Sequence, residues 1–294
     1  MFDTSHIEAC EYVDGDAFEN LQIPGEVTYV KTDHVRAALE SRSFGSKTLG
    51  SKTLGSKTLG SKTLRGILLT HNSDLGIGTE LISLAFGPGS GIHAWFGQNV
   101  LVRHPRLTAI PIGLERTRWF PSLRKRDLLH DFAKRSPGEP DSLCLANFSV
   151  STNGAERAAC ADNASSFATM QVAGTVCQDA YERYLMEILR HKFVLCPNGN
   201  GVDTHRLWET LYLGRIPVVT RSPTMEAFAS LPMVILDSWG DLTRAGLEDY
   251  WRSFRAGQID YILDALFMSY WRDRIVTESA RVRDQRCLMA KEYR

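Results

Sequence analysis

The stretch FVLCPNGNGVDTHRLWETLYLGRIPVV, Phe193 to Val219, reads as strand, glycine-rich loop, helix, glycine stop and strand. Phe193 to Cys196 is a short apolar run. Pro197, Asn198, Gly199, Asn200 and Gly201 are turn formers, and the two glycines allow positive φ and a close backbone approach. Asp203 or Thr204 stands where a helix N-cap belongs. On a helical wheel Leu207, Trp208, Leu211 and Tyr212 share one arc, while His205, Arg206 and Glu209 share the other, which is expected to be free. Gly214 occupies the C′ position that ends a helix, and Pro217 falls early in the next strand, where a missing donor costs little.

The same rhythm extends both ways. Before this unit come a strand at Leu143 to Phe148 and helices at Ala155 to Ala161 and Asp179 to Arg190. After it come a strand at Ile216 to Thr220, a short helix at Thr224 to Ser230, a strand at Met233 to Leu236 and helices beyond Asp241. Regular alternation predicts a parallel, doubly wound, Rossmann-like sheet. Nearer the N-terminus, apolar runs at Val27 to Val30, Ile67 to Thr70, His93 to Phe96 and Leu107 to Ile112 predict strands of another α/β lobe. From Arg116 to Asp141 charge and proline increase, as in Arg124-Lys125-Arg126 and Ser136 to Pro140, and this reads as an exposed connection. The expected organisation is an α/β protein of two Rossmann-like lobes with parallel sheets, 1–140 and 141–294. A length of 294 residues suits two cores.

The glycine-rich loop and the helix behind it carry the chemistry. Unpaired amides of the first helical turn and the positive end of the helix dipole form a natural site for a diphosphate. Arg206 adds a fork-shaped cation. Glu209, one turn deeper, stands where a carboxylate can accept from both hydroxyls of a ribose. The bland alternative is a solvated helix face with a surface ion pair worth under about 1 kcal/mol. Position favours a site, because open α/β sheets bind ligands beyond the carboxyl ends of their strands, where this loop lies. The expected binding set is therefore Asn198, Gly199, Asn200, Gly201, Asp203, His205, Arg206 and Glu209.

Composition removes other classes. Hydrophobic residues are 43% and charged residues 23% of the chain, which fits a folded globular protein. Lys plus Arg and Asp plus Glu are equal at 34 each, so no overall field favours nucleic acid or an anionic membrane. No apolar run approaches the roughly 20 residues of a membrane span. Met1 to Asp16 lacks the basic start and apolar core of a secretory signal, so a cytoplasmic location is expected. The six cysteines show no CxxC pair and no zinc spacing, and are expected to be reduced thiols. Asn147-Phe-Ser and Asn163-Ala-Ser match a glycosylation triplet that arises often by chance. The fourfold GSKTL repeat from Gly45 to Leu64 has a period of neither helix nor strand and reads as a surface loop. It misses the Walker pattern because Ser51 separates Gly50 from Lys52, and no strand leads into it.

The segment resembles the donor lobe of the exostosin-like glycosyltransferases, with its strand, Pro-x-Gly-rich loop, His-Arg-x-x-Glu helix and Gly-x-Ile-Pro-Val strand. A looser likeness reaches fucosyltransferase-type donor lobes. LLTHNSD at Leu68 to Asp74, WFGQN at Trp95 to Asn99, IPIGLE at Ile110 to Glu115 and NFSVSTN at Asn147 to Asn153 look similar to the same group. The resemblance implies a GT-B architecture, acceptor and catalytic groups on the first lobe, and a nucleoside-diphosphate sugar, such as a UDP-sugar, on the second. It implies Arg206 for the diphosphate and Glu209 for the ribose, with Ser149, Ser151, Thr220 and Ser222 on neighbouring loops of the cleft. Many Golgi members of the group carry a membrane anchor, which is not expected here, and the repeat insertion and small first lobe are further departures.

Inverting transfer needs a base beside the acceptor hydroxyl, and His71, Asp74 and Glu115 follow first-lobe strands where one is expected. Each also has a local role open to it, His71 and Asp74 in a turn and Glu115 in an ion pair with Arg116 or Arg118. Asp14-Gly-Asp16 matches the metal signature of the other main glycosyltransferase fold but lacks a leading strand and reads as a turn. The expectation is a metal-independent glycosyltransferase with no cofactor, acting on a glycan or other hydroxyl acceptor. The alternative is an inactive nucleotide- or glycan-binding protein of the same fold.

Overall fold

The computed structural model describes residues 2–40, 64–119, 124–135, 138–171 and 177–292. In chain order the main elements are α1 (Gly15–Glu19), β1 (Val27–Lys31), α2 (Val35–Glu40), β2 (Arg65–His71), α3 (Thr79–Phe86), β3 (Gly91–Gly97), β4 (Leu107–Ala109) and α4 (Lys125–Lys134). They continue with β5 (Ser142–Asn147), α5 (Gly154–Ala164), β6 (Thr169–Gln171), α6 (Gln178–Arg190), β7 (His191–Leu195), α7 (His205–Tyr212) and β8 (Ile216–Thr220). The last are α8 (Pro223–Ala227), β9 (Val234–Leu236), α9 (Arg244–Arg255) and α10 (Met268–Glu292). The fold is α/β, with two sheets whose strands all run parallel.

The chain divides into two compact units, one of Met1–Asn20 and Pro111–Trp271, the other of Leu21–Ile110 and Arg272–Arg294. The sequence places a single boundary near Pro140, whereas these units divide at Asn20, Ile110 and Trp271. Nothing local marks the first of these positions. The N-terminal segment joins its unit through distant partners: Thr4 Oγ1 donates to the Tyr212 carbonyl at 2.6 Å, and the Val13 amide donates to the Tyr212 hydroxyl at 2.9 Å. Phe2, Ile7, Tyr12 and Val13 are buried.

The smaller unit carries the sheet β1-β2-β3-β4 in sequential order. Apolar runs make its central strands, as β2 buries every residue from Gly66 to His71. The larger unit carries β6-β5-β7-β8-β9. Its three innermost strands are apolar because helices cover both faces of a doubly wound sheet. Pro217 pairs with Val194 on β7, and β9 joins β8 only from Val218 onward, so the missing donor falls where β8 has a neighbour on one side. Gly214 adopts φ +67 and ends α7, as its C′ position predicts.

Two expectations change. The charged stretch after Arg116 contains α4, whose Leu129, Phe132 and Ala133 are buried, so the middle of this connection is a packed amphipathic helix. The polar arc of α7 is also covered: Glu209 and Thr210 are buried along with the apolar arc, because α6 lies over that side and brings Tyr181 and Tyr184 to Glu209. The repeat lies outside the described residues except for Leu64, which is buried.

Candidate functional site

The order of the five-stranded sheet locates a crevice. From β5 the chain crosses to β6 on one side, then returns past β5 to β7 on the other. The connections that leave β5 and β7 therefore diverge, and ligands of open α/β sheets bind at such a switch point, beyond the carboxyl ends of the strands. The loop after β7 is the glycine-rich segment, and the loop after β5 is Phe148 to Asn153.

These two loops are tied to each other. Asn153 Nδ2 donates to the Gly199 carbonyl at 3.0 Å, and Arg157 Nε donates to the Asn198 carbonyl at 3.0 Å. Arg157 Nη1 donates to the Ser149 carbonyl at 2.8 Å. A Cβ at Gly199 would stand 3.2 Å from Arg157 Nη2, so a side chain there would push the guanidinium aside. Asn198, Gly199 and Gly201 are half-buried and Asn200 is exposed.

Arg157 sits in the first turns of α5 and Arg206 in the first turn of α7, one guanidinium behind each flank of the switch point. Their Cζ atoms lie 5.9 and 6.0 Å from the centre of the same Phe148 ring. Arg157 is buried, with 7% exposure, yet it donates to neutral backbone carbonyls, those of Asn198 and Ser149. Burial, and then the nearby charge of Arg206, pull the Arg157 guanidinium below its usual pKa. Neither arginine forms an ion pair among the described residues. Arg206 Nε and Thr204 Oγ1 are buried and without a hydrogen-bond partner among the described residues. An unmet buried polar group costs about 1–3 kcal/mol, a cost that Arg206 Nε and Thr204 Oγ1 carry here and that a hydrogen-bond acceptor such as an anion oxygen would relieve at Arg206. Thr204, at the N-cap of α7, makes no side-chain cap hydrogen bond, and the Leu207 amide of the first turn donates to its carbonyl at 3.1 Å.

Asp203 does not cap the helix. It is buried, accepts from the Ile112 amide at 2.6 Å and from the Trp208 indole at 2.9 Å, and its carboxyl is pushed up to about 7 by that burial. Its role is to anchor the loop. His205 Nδ1 lies 2.7 Å from the Gly113 carbonyl, which only accepts, so Nδ1 carries the hydrogen. Both oxygens of Glu209 are engaged, Oε1 by the Tyr181 hydroxyl at 2.9 Å and Oε2 by the Tyr184 hydroxyl at 3.0 Å. Burial, followed by the charge of Glu209, drives both phenols well above their usual pKa. The solvated, surface-paired reading of this helix face therefore does not hold.

The flanking hydroxyls have local partners. Ser149 and Ser151 share a hydrogen bond at 2.8 Å, Thr220 donates to Glu156 at 3.2 Å, and Ser222 caps α8 by accepting from Met225 N at 3.2 Å. Glu156 Oε1 also accepts from the Trp239 indole at 2.8 Å. Arg157 and Glu156 are residues of the candidate site that sequence reading passed over, and Asn153 entered that reading only as the end of the stretch Asn147 to Asn153. Their one signal was position, an arginine early in the helix after β5 as Arg206 is early in the helix after β7.

His71 ends β2 in the smaller unit. It is buried, and its Nδ1 accepts from the Asn72 amide at 2.8 Å. Asp74 is exposed on the loop that follows. Glu115 belongs to the larger unit and forms an ion pair with Lys125, whose ammonium lies 5.2 Å from the centre of the Tyr181 ring. In the same unit Asp14 caps α1 through Ala17 N at 2.7 Å and pairs with Arg126 at 2.8 Å, while Asp16 pairs with Arg116 at 2.5 Å. The Asp-x-Asp carboxylates are thus part of a helix start and two ion pairs.

No protein-family model matches the chain, and no curated protein matches it. No helix among the described residues is long and apolar enough to cross a membrane.

Proposed function

We propose that the chain is a glycosyltransferase of the GT-B type that moves a sugar from a nucleoside-diphosphate sugar, a UDP-sugar first among them, to a hydroxyl of a glycan or similar acceptor. The five-stranded unit is the donor lobe, and the four-stranded unit takes the acceptor. The observation that carries this reading is the pair Arg157 and Arg206, two guanidiniums without carboxylate partners behind a switch-point loop. A diphosphate supplies two linked anionic groups, and bidentate contacts from arginine match its oxygens. In the transfer step negative charge grows on the departing diphosphate, and fixed cations with helix amides stabilise it as it forms. Glu209, held by two phenols, keeps a second lone pair on each oxygen for a ribose hydroxyl.

The test is UDP binding and UDP release from UDP-sugars, both measured with a chelator present. Wild type is expected to bind UDP and to release it from at least one UDP-sugar, and Arg206→Ala to weaken binding by about 10- to 100-fold while keeping its circular dichroism. Binding of UDP without transfer or hydrolysis would instead support a binding protein of the same fold. A wild-type protein indifferent to every nucleoside diphosphate would remove the donor site altogether.

A further inference from the structure

We infer that His205 is the general base that takes the proton from the acceptor hydroxyl, an assignment that rests on the transferase reading above. Three observations carry it.

First, the tautomer is fixed. Nδ1–H donates to the Gly113 carbonyl at 2.7 Å, so in the neutral ring Nε2 holds a lone pair. A carbonyl that orients one ring nitrogen while the other faces a reacting hydroxyl is the arrangement a histidine base requires.

Second, Nε2 is free. It has no hydrogen-bond partner among the described residues, and it is absent from the buried unpartnered atoms that include its neighbours Thr204 Oγ1 and Arg206 Nε, so solvent reaches it. A neutral ring with this tautomer has no hydrogen at Nε2 to give a phosphate oxygen. It can accept from a hydroxyl.

Third, the placement is right. His205 immediately precedes Arg206 on α7, and its ring turns toward Gly113 while the Arg206 guanidinium turns toward Phe148. One helical turn thus presents a proton acceptor on one side and a diphosphate-binding cation on the other. In a transfer step the sugar carbon joins the diphosphate to the incoming hydroxyl, so a base and a diphosphate-binding cation on adjacent residues serve its two ends. Two of the other candidates are less suited: Nδ1 of His71 is occupied by an amide, and the Glu115 carboxylate is held by Lys125.

The step balances without a further reactant. Nε2 takes the hydroxyl proton as the acceptor oxygen bonds to the anomeric carbon. The bond from that carbon to the phosphate oxygen breaks with its electron pair, which leaves on the nucleoside diphosphate. The imidazolium then returns its proton to water. A single displacement of this kind inverts the anomeric centre.

The experiment compares His205→Asn, Arg206→Ala and wild type, with UDP as the binding probe and UDP-glucose, UDP-galactose, UDP-N-acetylglucosamine, UDP-glucuronate and UDP-xylose as donors. Asparagine keeps an N–H near the Nδ1 position for the Gly113 carbonyl and removes the proton acceptor. The expected result is UDP affinity within about twofold of wild type, which also reports a folded site, with kcat lower by about 100-fold or more. Turnover of His205→Asn within about threefold of wild type would overturn the assignment. So would a fall in UDP affinity that matches the fall in turnover, which would make His205 a donor-binding residue. Arg206→Ala separates the two proposals: if it keeps full UDP affinity, the donor site itself is wrong, whatever His205→Asn does.

Discussion

The hydroxyl of Tyr181 donates to Oε1 of Glu209 across 2.9 Å inside the larger unit, where both groups are buried. Tyr184 completes the pair at Oε2, so an anion at the centre of α7 is satisfied by two neutral donors from α6. Hydrogen bonds to a charged group contribute roughly 1.5–3 kcal/mol each. The double variant Tyr181→Phe with Tyr184→Phe is expected to lose about 3 kcal/mol or more in urea unfolding and to bind UDP-sugar more weakly than UDP-sugar binds wild type. Full stability in the double variant would show that Glu209 does not need these phenols.

Asp203 gives a dependence on pH. Its carboxyl titrates near 7 in the fold because of burial, against an ordinary value of 3.8. Between those values the native chain holds a proton that the unfolded chain has released, so this residue's contribution to stability falls as pH rises through the window, by at most about 1.4 kcal/mol per pH unit. Asparagine resembles the protonated acid and does not titrate. Measured against wild type, Asp203→Asn is expected to gain relative stability from pH 5 to pH 7. A difference between the two proteins that stays flat over that range contradicts the raised carboxyl.

Gly113 tests the support of His205. It adopts φ +65, and a Cβ would lie 2.0 Å from the Val13 carbonyl oxygen. Gly113→Ala is expected to cost roughly 2 kcal/mol or more, since a side chain is strained there and the backbone opposite must move. Displacing the carbonyl that orients His205 should also lower UDP release more than UDP binding. Equal melting curves for the two proteins would show that the segment yields easily.

The central unit, from β7 through α7 to β8, was readable because each part carries its own local code: an apolar run, turn residues, a period of 3.6 and a stop glycine. The place of Arg206 in the first turn of α7 was readable the same way. What was not readable depends on a second element. The wheel of α7 assigns Glu209 to a free face, and only α6 packed across it shows that the face is covered. Arg157 sits in a helix of mixed small and polar residues, where one more arginine has no distinguishing pattern until the Asn198 carbonyl is seen beside it. The edge strand β6 is three residues long, two of them exposed, and so shows no alternation. The N-terminal segment joins the larger unit through Tyr212, some two hundred positions along the chain.

The four-stranded sheet runs in plain sequential order, so all its crossovers step in one direction and none of them opens a gap between neighbouring strands. Selectivity for whatever that unit meets has to be written in its loops, which tolerate insertion and exchange while the strands stay as they are. On the proposed transferase reading the two units would be free to change at different speeds: leaving-group chemistry would be locked into the winding of one sheet, and the choice of recipient left to the most replaceable parts of the other.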